Sequence, residues 1–316
     1  MIIPNVILVS MIIFLMVRMV PGTVVDLMAA DLGSYQQIDK DEIERRLGLD
    51  VPIHVQYGRW VGVLQDKDGN YDGLLQGNLG RSLWRSTSVW DEIKMRLPVT
   101  LEVGLLGFLF AHLLSLPVGI YSALRRETAG DWAARSFSVL CIAVPSFWLA
   151  TMVIVFPSIW WGYMPPITWT SITEDLGANL RMVVIPGILI GLEMSGTTMR
   201  LTRARTIEVM SQDYIRTAWA KGLKEKAVVV THALKNALIP VVTMSGLQVS
   251  TIFGGTVIIE KIFGLPGMGR LVLDATTNRD YPVISGVMLF MAVIVMVSNL
   301  VVDLIYAVLD PRIRYK

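Results

Sequence analysis

Apolar residues are concentrated in six long runs, which are separated by polar segments of very different lengths. Each run is near or above the roughly 20 residues that an α-helix needs to cross about 30 Å of hydrocarbon. A buried helix of a soluble enzyme would be shorter than these runs. The pattern therefore predicts an all-α integral membrane protein with six spans, at residues 2–20, 99–124, 136–160, 182–199, 237–259 and 282–309.

The composition agrees with a membrane protein and excludes several other classes. The chain of 316 residues is 53% hydrophobic and only 17% charged, whereas about a quarter of the residues are charged in an ordinary soluble domain. Its formal net charge of +2 supplies no field that would attract nucleic acid. The single cysteine, Cys141, cannot form an internal disulfide, and His54, His112 and His232 lack a metal-ligand spacing. We therefore expect no bound metal and no nucleic-acid partner.

Lysine and arginine are distributed unevenly among the segments between the spans, and basic segments stay in the cytoplasm. Residues 201–236 contain seven basic residues, whereas residues 162–181 contain one. Segment 21–98 is long and mixed, with nine basic and twelve acidic residues. We therefore expect both termini and residues 201–236 in the cytoplasm and residues 21–98 outside. The turn after the second span and the C-terminal tail are also basic, through Arg125, Arg126, Arg135, Arg312, Arg314 and Lys316.

The first apolar run has the position and hydrophobicity of a secretory signal peptide. However, no basic residue precedes it, and Arg18-Met-Val-Pro-Gly follows it in place of a small-residue cleavage site. We therefore expect residues 1–20 to remain as the first transmembrane helix. The chain then divides into that helix, an external segment at 21–98 and a five-helix core at 99–316, which includes the cytoplasmic segment 201–236.

The cytoplasmic segment carries the clearest local signals. Asp213 is a suitable N-cap, residues 214–221 form two helical turns, and Gly222 suits the left-handed position that ends a helix. A second helix is expected from near Lys224 towards Pro240. The chain lacks a Walker A motif, a dinucleotide fingerprint and a nucleophile elbow, so we expect no enzyme activity of its own. A short capped helix at the membrane surface is instead suited to bind in a groove of another protein.

Several ordered sequence blocks make this interpretation more specific. Asp213-Tyr-Ile-Arg-Thr-Ala-Trp-Ala-Lys-Gly-Leu, followed by His232-Ala-Leu-Lys-Asn-Ala-Leu-Ile-Pro, resembles the coupling motif of bacterial ABC-importer permeases, in the form found in dipeptide and oligopeptide permeases. The resemblance covers essentially the whole chain. Further matching blocks are Leu47-Gly-Leu-Asp, Gly77-Asn-Leu-Gly-Arg-Ser-Leu, Gly254-Gly-Thr-Val-Ile-Ile-Glu-Lys-Ile-Phe-Gly-Leu-Pro-Gly-Met-Gly-Arg, Arg279-Asp-Tyr-Pro and Asp303-Leu-Ile-Tyr-Ala-Val-Leu-Asp-Pro-Arg-Ile-Arg-Tyr.

The resemblance implies a type I ABC-importer permease fold in a bacterial or archaeal plasma membrane. It implies four kinds of partner: a second homologous permease, two cytoplasmic ATPase subunits, an external substrate-binding protein and the lipid bilayer. ATP and Mg would be bound by the ATPase subunits, and this chain would hold no cofactor. Peptides are the implied substrate, with nickel chelates, glutathione and oligosaccharides as alternatives within the family. The implied ATPase-coupling residues are Asp213, Tyr214, Arg216, Thr217, Ala218, Trp219, Ala220, Lys221 and Gly222.

Two departures from the family pattern concern the contact with the ATPase. The general motif has Glu-Ala-Ala where this chain has Arg216, Thr217 and Ala218, so the acidic contact is missing. The peptide subfamily usually has arginine where this chain has Trp219. We therefore expect docking to rely more on apolar packing. Without the family blocks, a short basic helix beside the membrane is more often a solvated loop on the cytoplasmic side.

Glu193, Ser195 and Gln248 are candidates for the translocation path. A carboxylate at the centre of a span costs on the order of 3 kcal/mol unless it faces protein or water, which makes Glu193 a functional hypothesis. Its structural alternative is a hydrogen bond between packed helices. His112 is expected to form such a bond, and Gly246, Gly254 and Gly255 to allow close helix packing. Pro266, Gly267, Met268 and Gly269 are candidates for an external contact with the binding protein, or for a turn that packs only on its own chain.

Two functions from other classes fit the sequence less well than an importer. An ion-driven secondary transporter would show inverted repeats and several intramembrane charges, whereas Glu193 is nearly alone and the two halves do not resemble each other. A membrane-embedded enzyme would require clustered intramembrane catalytic groups, and the sequence offers none.

Overall fold

The computed structural model describes residues 2–19, 25, 44–45, 48–66, 69–164, 166 and 168–309. These residues form helices and connecting turns, and the only β-type pairing among them is an isolated bridge between Arg81 and Ser88. The α-helices are α1 (Ile2–Arg18), α2 (Ile53–Val61), α3 (Val89–Leu124), α4 (Ala129–Ala143), α5 (Ser146–Trp161), α6 (Leu176–Met210), α7 (Asp213–Ala220), α8 (Glu225–Ala227), α9 (Leu234–Ala237), α10 (Ile239–Phe263), α11 (Met268–Thr277) and α12 (Tyr281–Leu309). A 3₁₀ turn lies at Leu74–Gln76 and a π-helix at Val228–Ala233.

The chain folds as two compact units. The first unit comprises Met1–Pro98 and Pro266–Met296, and its apolar core contains residues of α1, α11 and α12. Within this unit α1 packs on α2, because the Phe14 ring lies 5.2 Å from that of Tyr57 and the Arg18 side chain donates to Gln56 Oε1 at 2.9 Å. The hydroxyl groups of Ser10 and Tyr57 are also within hydrogen-bond distance. The second unit comprises Val99–Leu265 and Val297–Lys316.

Helix α6 is the central element of the second unit. Its 35 residues are about 52 Å long, which exceeds the thickness of the hydrocarbon by about 20 Å. Glycines let its neighbours approach closely: a Cβ on Gly191 would lie 2.6 Å from the Gly107 carbonyl oxygen of α3, and one on Gly196 would lie 2.7 Å from the Ser138 carbonyl oxygen of α4. Helix α6 therefore extends from the membrane into the segment that precedes α7.

The third predicted span, at 136–160, is not one straight helix. Helices α4 and α5 meet at an angle of 91°, and the break falls at Val144 and Pro145. Whether the bent pair forms the single predicted span stays a prediction, but proline explains the break. Proline lacks an amide N–H and pushes the preceding residue out of the helical region, and Val144 accordingly has φ −90° and ψ 119°.

The remaining apolar runs form helices that differ in their suitability to cross a membrane. Helices α3, α6, α10 and α12 are long and apolar enough to do so, and the bent α4–α5 pair could form a fifth span. Helix α1 is apolar but shorter. The count of six spans therefore stays a prediction, as does the division into residues 1–20, 21–98 and 99–316. The basic tail residues Arg312, Arg314 and Lys316 lie outside the described residues.

Candidate functional site

Helix α7 follows α6 after a two-residue turn and forms the short helix that the sequence predicts. Gln212 rather than Asp213 is its N-cap, and Gln212 provides no side-chain cap hydrogen bond, so the predicted cap was wrong by one residue. Asp213 instead lies in the first turn, where its negative charge is favourable beside the helix N-terminus. Gly222 has φ +75°, which confirms the left-handed residue expected at the end of the helix.

The inner face of α7 holds the helix on its own chain. Ile215 and Ala218 are buried and pack against Val228 and Ala233 of the π-helix. Ala218 therefore stabilises the position of α7, and it is the one buried residue among the nine predicted coupling residues. Ile215 was not among the predicted coupling residues, although its spacing of three residues from Ala218 is typical of an amphipathic helix.

Two aromatic side chains of α7, Tyr214 and Trp219, are 43% and 42% exposed and lie on either side of the buried face. The Tyr214 hydroxyl accepts a hydrogen bond of 2.9 Å from Asn236 Nδ2, so this ring is held in place from the next helical segment. Arg216 and Asp213 form an exposed ion pair of 3.4 Å on the same helix. The exposed part of α7 combines two aromatic rings, of which Tyr214 is held by a hydrogen bond, with mixed charge, and such surfaces suit protein binding. The other exposed residues here are Thr217, Ala220, Lys221 and Gly222.

A buried ion pair joins the base of α6 to α4, and sequence analysis did not find it. The Asp131 carboxylate is fully buried and accepts hydrogen bonds from Arg203 Nε at 2.8 Å and Arg203 Nη2 at 2.9 Å. Ser122 Oγ and the Glu127 amide also donate to it. Asp131 lies between the second and third predicted spans, and the Arg203 guanidinium holds the pKa of its carboxyl well below the ordinary value. The carboxylate therefore stays ionised and holds α6 to α4 ten residues before α7.

The three candidate path residues have different environments. Ser195 is buried and donates to the Leu192 carbonyl oxygen at 2.7 Å. Gln248 is buried between α10 and α6, and its Nε2 donates to Thr198 Oγ1 at 3.0 Å and to the Met194 carbonyl oxygen at 3.2 Å. Glu193 is exposed on α6. Of the three, only Glu193 has its side chain on a surface that a passing solute could reach.

The predicted external contact around Met268 does not lie on the surface. Met268 is fully buried in the core of the first unit, Gly267 and Gly269 are buried beside it, and Pro266 is half-buried. The Met268 side chain points into its own unit and is not available on the surface of this structure, so contact of residues 266–269 with a binding protein stays a prediction. The alternative of a turn that packs on its own chain fits these residues. Leu273, Thr276, Thr277 and Asn278 form the exposed part of α11 and of the turn after it.

The remaining expectations about packing have mixed outcomes. The predicted interhelical bond of His112 is confirmed, because its Nε2 lies 2.6 Å from Ser245 Oγ of α10. Close packing at Gly246 is also confirmed, since a Cβ there would lie 2.4 Å from a methyl group of Val302. No such contact exists at Gly254 and Gly255, which face open space among the described residues.

Comparison with known proteins decides the family. Residues 115–315 match the family described as binding-protein-dependent transport system inner membrane component, and residues 2–104 match the corresponding N-terminal family. The chain belongs to this family. It is therefore a membrane permease subunit of an ABC transport system, and the predicted resemblance to the dipeptide and oligopeptide permeases is confirmed.

Two related permeases align with nearly the whole chain, and a solved structure aligns with about two thirds of it. The dipeptide transport system permease protein of Escherichia coli (strain K12) is 35% identical over 338 residues, which cover 100% of this chain and 96% of that protein. The di/tripeptide transport system permease protein of Pseudomonas aeruginosa (strain UCBPP-PA14) is 36% identical, with 98% and 94% covered. Among solved structures, an inward-facing methionine ABC transporter matches with a TM-score of 0.53 and 16% identity, over 70% of this chain and 97% of that chain. This last similarity confirms the fold class of a type I importer permease.

Proposed function

We propose that this permease is one membrane half of an ATP-driven importer of short peptides, and that α7 is the helix through which ATPase subunits move it. The observation that carries the proposal is that α7 exposes Tyr214 and Trp219 while Ile215 and Ala218 hold the helix in place. An aromatic anchor on a fixed short helix suits a groove in a partner protein. Peptides are proposed as substrate because the relatives from Escherichia coli and Pseudomonas aeruginosa carry that substrate in their names.

The proposed complex contains two permeases, two cytoplasmic ATPase subunits that bind ATP and Mg, and an external binding protein that delivers the peptide. The permease lies in the plasma membrane of a bacterium or archaeon, with both termini and residues 201–236 in the cytoplasm. The membrane character of the family and the basic residues of 201–236 support this orientation. The ATPase subunits hydrolyse ATP. When they close on each other, this chain converts the closure into movement of its own helices.

Movement of α7 can be transmitted to the membrane-spanning helices through two connections. One route is the short turn to α6, whose base is tied to α4 by Arg203 and Asp131. The other is the π-helix that contacts α7 through Val228 and Ala233 and leads through α9 into α10. A force on Trp219 would therefore act on α6 and α10 together, which is what tilting of the spans in alternating access requires.

The test compares Trp219→Asp with Tyr71→Asp. Tyr71 is a second exposed aromatic residue, in the segment expected outside, so its replacement controls for loss of an exposed ring. The tagged permease is purified with its associated subunits and placed in liposomes that contain peptide-binding protein. Losing a central aromatic contact of about 2 kcal/mol should weaken ATPase binding about 30-fold. Trp219→Asp should therefore lose ATPase subunits and peptide uptake, while Tyr71→Asp keeps both.

Two results would contradict the proposal. If no ATPase subunit accompanies the purified permease, the importer assignment fails. If Trp219→Asp retains its ATPase subunits and peptide-stimulated hydrolysis, α7 is a solvated loop and the coupling role fails.

A further inference from the structure

Helix α6 contacts three neighbouring helices and leaves one face exposed. It packs on α3 through Gly191, on α4 through Gly196 and on α10 through Thr198, which hydrogen-bonds with Gln248. Residues spaced by four, three and four positions lie on one face of an α-helix. The open face has this spacing, lies between the contacts with α4 and α10, and consists of Glu193, Thr197, Arg200 and Ala204, all of which are exposed.

This open face differs in polarity from the exposed faces of neighbouring helices. The exposed stripe of α3 is made of Leu105, Leu109 and Leu113, and exposed side chains of α5 include Phe156 and Trp160. Such apolar stripes suit contact with lipid. A carboxylate inside a span, such as Glu193, is costly in lipid and marks a face that meets water or a polar solute, and Arg200 continues this face just beyond the predicted span. The open face of α6 therefore borders an aqueous route.

The two charges on this face are available for binding. Among the described residues, neither Glu193 nor Arg200 takes part in an ion pair or a side-chain hydrogen bond. They are seven residues apart, which corresponds to about 10 Å along the helix axis. An extended chain of two or three residues spans about 7 to 10 Å, so the charged ends of a dipeptide or tripeptide are separated by a similar distance.

We propose that Glu193 and Arg200 bind the two ends of a zwitterionic short peptide, with Glu193 accepting hydrogen bonds from the α-ammonium group and Arg200 donating to the α-carboxylate. Arginine suits this role because its guanidinium can donate two parallel hydrogen bonds to one carboxylate. Thr197 lies between the charges and supplies a hydroxyl for the peptide backbone. The inference rests on the proposed peptide-import function and adds to it a binding site that selects for free peptide termini.

The experiment measures how a peptide protects this face from a thiol reagent. Thr197→Cys is made in a Cys141→Ala background, so that the new thiol is the single one in the permease, and the assembled complex is studied without binding protein. Alanyl-alanine is the probe, and its N-acetylated and C-amidated forms each lack one terminal charge. At about ten times its Kd, alanyl-alanine should slow maleimide labelling about tenfold, because about nine-tenths of the sites are occupied. Neither blocked form should protect at the same concentration.

Charge variants separate the two ends of the site. Glu193→Gln should raise the alanyl-alanine concentration for half-protection at least about tenfold, because it removes a charge-assisted hydrogen bond, and Arg200→Gln should do the same. In Glu193→Gln, N-acetylated and free peptide should protect equally poorly, while in Arg200→Gln the amidated peptide should match the free one. Glu208→Gln is the matched control, since Glu208 is exposed further along the same helix and pairs with Arg205. It should leave protection unchanged.

Three outcomes would overturn the inference. A thiol at 197 that never reacts would place this face inside a protein interface. Protection that is equal for free and blocked peptides would show binding without recognition of the termini. Protection that persists in both charge variants would place the site elsewhere. In each case ATPase content and hydrolysis are measured on the same samples, so failure of this site is distinguished from failure of the importer assignment.

Discussion

Ser82 and Asp280 are 198 residues apart in the chain, and the Ser82 hydroxyl donates a 2.5 Å hydrogen bond to the Asp280 carboxylate. The other carboxylate oxygen accepts from the Leu83 amide at 3.1 Å, and Trp84 Nε1 donates to the Asn278 carbonyl oxygen at 2.8 Å. Two separate sequence blocks of the family, one at 77–83 and one at 279–282, therefore meet in the first unit. Their contact fastens the turn at 80–89 to the start of α12.

Replacement of Asp280 by alanine should loosen that turn. The Ser82 hydroxyl and the Leu83 amide would lose their acceptor in a buried place, which costs about 1 to 3 kcal/mol. A destabilisation of about 1.4 kcal/mol raises the population of the locally opened turn about tenfold. Trypsin cleaves this open form, so it should cut at Arg81 or Arg85 about tenfold faster or more. Asp72→Ala removes an exposed acceptor of Asn78 and is the control. Equal cleavage rates in the two variants would mean that Asp280 does not hold the turn.

The ion pair of Asp131 and Arg203 should contribute much more to stability than exposed pairs of the same helix. Asp131→Asn leaves the Arg203 charge without its full partner, and breaking a buried pair costs about 3 kcal/mol or more. Glu208→Gln breaks the exposed pair with Arg205, which is worth about 1 kcal/mol or less. Unfolding by SDS in mixed micelles should show the larger loss for Asp131→Asn. Similar losses in both variants would contradict a structural role of the buried pair.

The same ion pair predicts a pH dependence. Arg203 lowers the pKa of Asp131 in the folded chain, so the stabilisation is present above the ordinary pKa of an aspartate and is lost only as the pH falls through the lower folded-state value. The difference in stability between the wild-type chain and Asp131→Asn should therefore be constant between about pH 6 and 8, well above the ordinary value of about 3.9. A difference that disappears within this range would show that another group controls the pair.

Local signals in the sequence were sufficient to predict α7 and its end. Gly222 is followed by the expected second helix, although that helix contains a π-helical turn at Val228–Ala233 and is interrupted at Leu238. The cap was misplaced because Asp213 suits both the N-cap and the first turn, and only the backbone distinguishes the two. The helical class of the chain likewise follows from the length of its apolar runs.

Long-range contacts could not be derived in the same way. No spacing relates Asp131 to Arg203, which is 72 residues away, or Ser82 to Asp280. Hydrophobicity also could not distinguish exposed from buried polar residues on α6, where Glu193 is exposed and Ser195 is buried two positions later. The sequence around Met268 fitted both an external contact and a turn packed on its own chain, because a Pro-Gly turn is usually a surface feature, and only the structure places Met268 in the core of the first unit.

Impermeant thiol labelling should test the orientation. Cysteines at Asn70 and Lys224 lie at exposed positions, in the segments expected outside and inside respectively. The native Cys141 is buried and is replaced by alanine so that it cannot contribute. In intact cells the reagent should label position 70 and not position 224, and opening the membrane should expose position 224. Labelling of both positions from outside would contradict the predicted topology.

The residues tolerated at Gly222, in the turn after α7, should be decided by backbone conformation and not by steric contact. Gly222 has φ +75°, and a Cβ at this position would meet no atom within 4 Å, so a larger side chain causes no steric clash. Valine in the left-handed conformation nevertheless destabilises the turn by roughly 1 to 2 kcal/mol, whereas asparagine adopts this conformation more readily. Gly222→Val should therefore displace α7 and reduce ATPase docking and uptake, and Gly222→Asn should keep most of both. Expression, membrane insertion and pairing with the second permease should be unchanged in the two variants, since the site touches none of the packed spans. Equal loss with valine and asparagine would mean that the partner contacts glycine itself, because then any side chain would interfere.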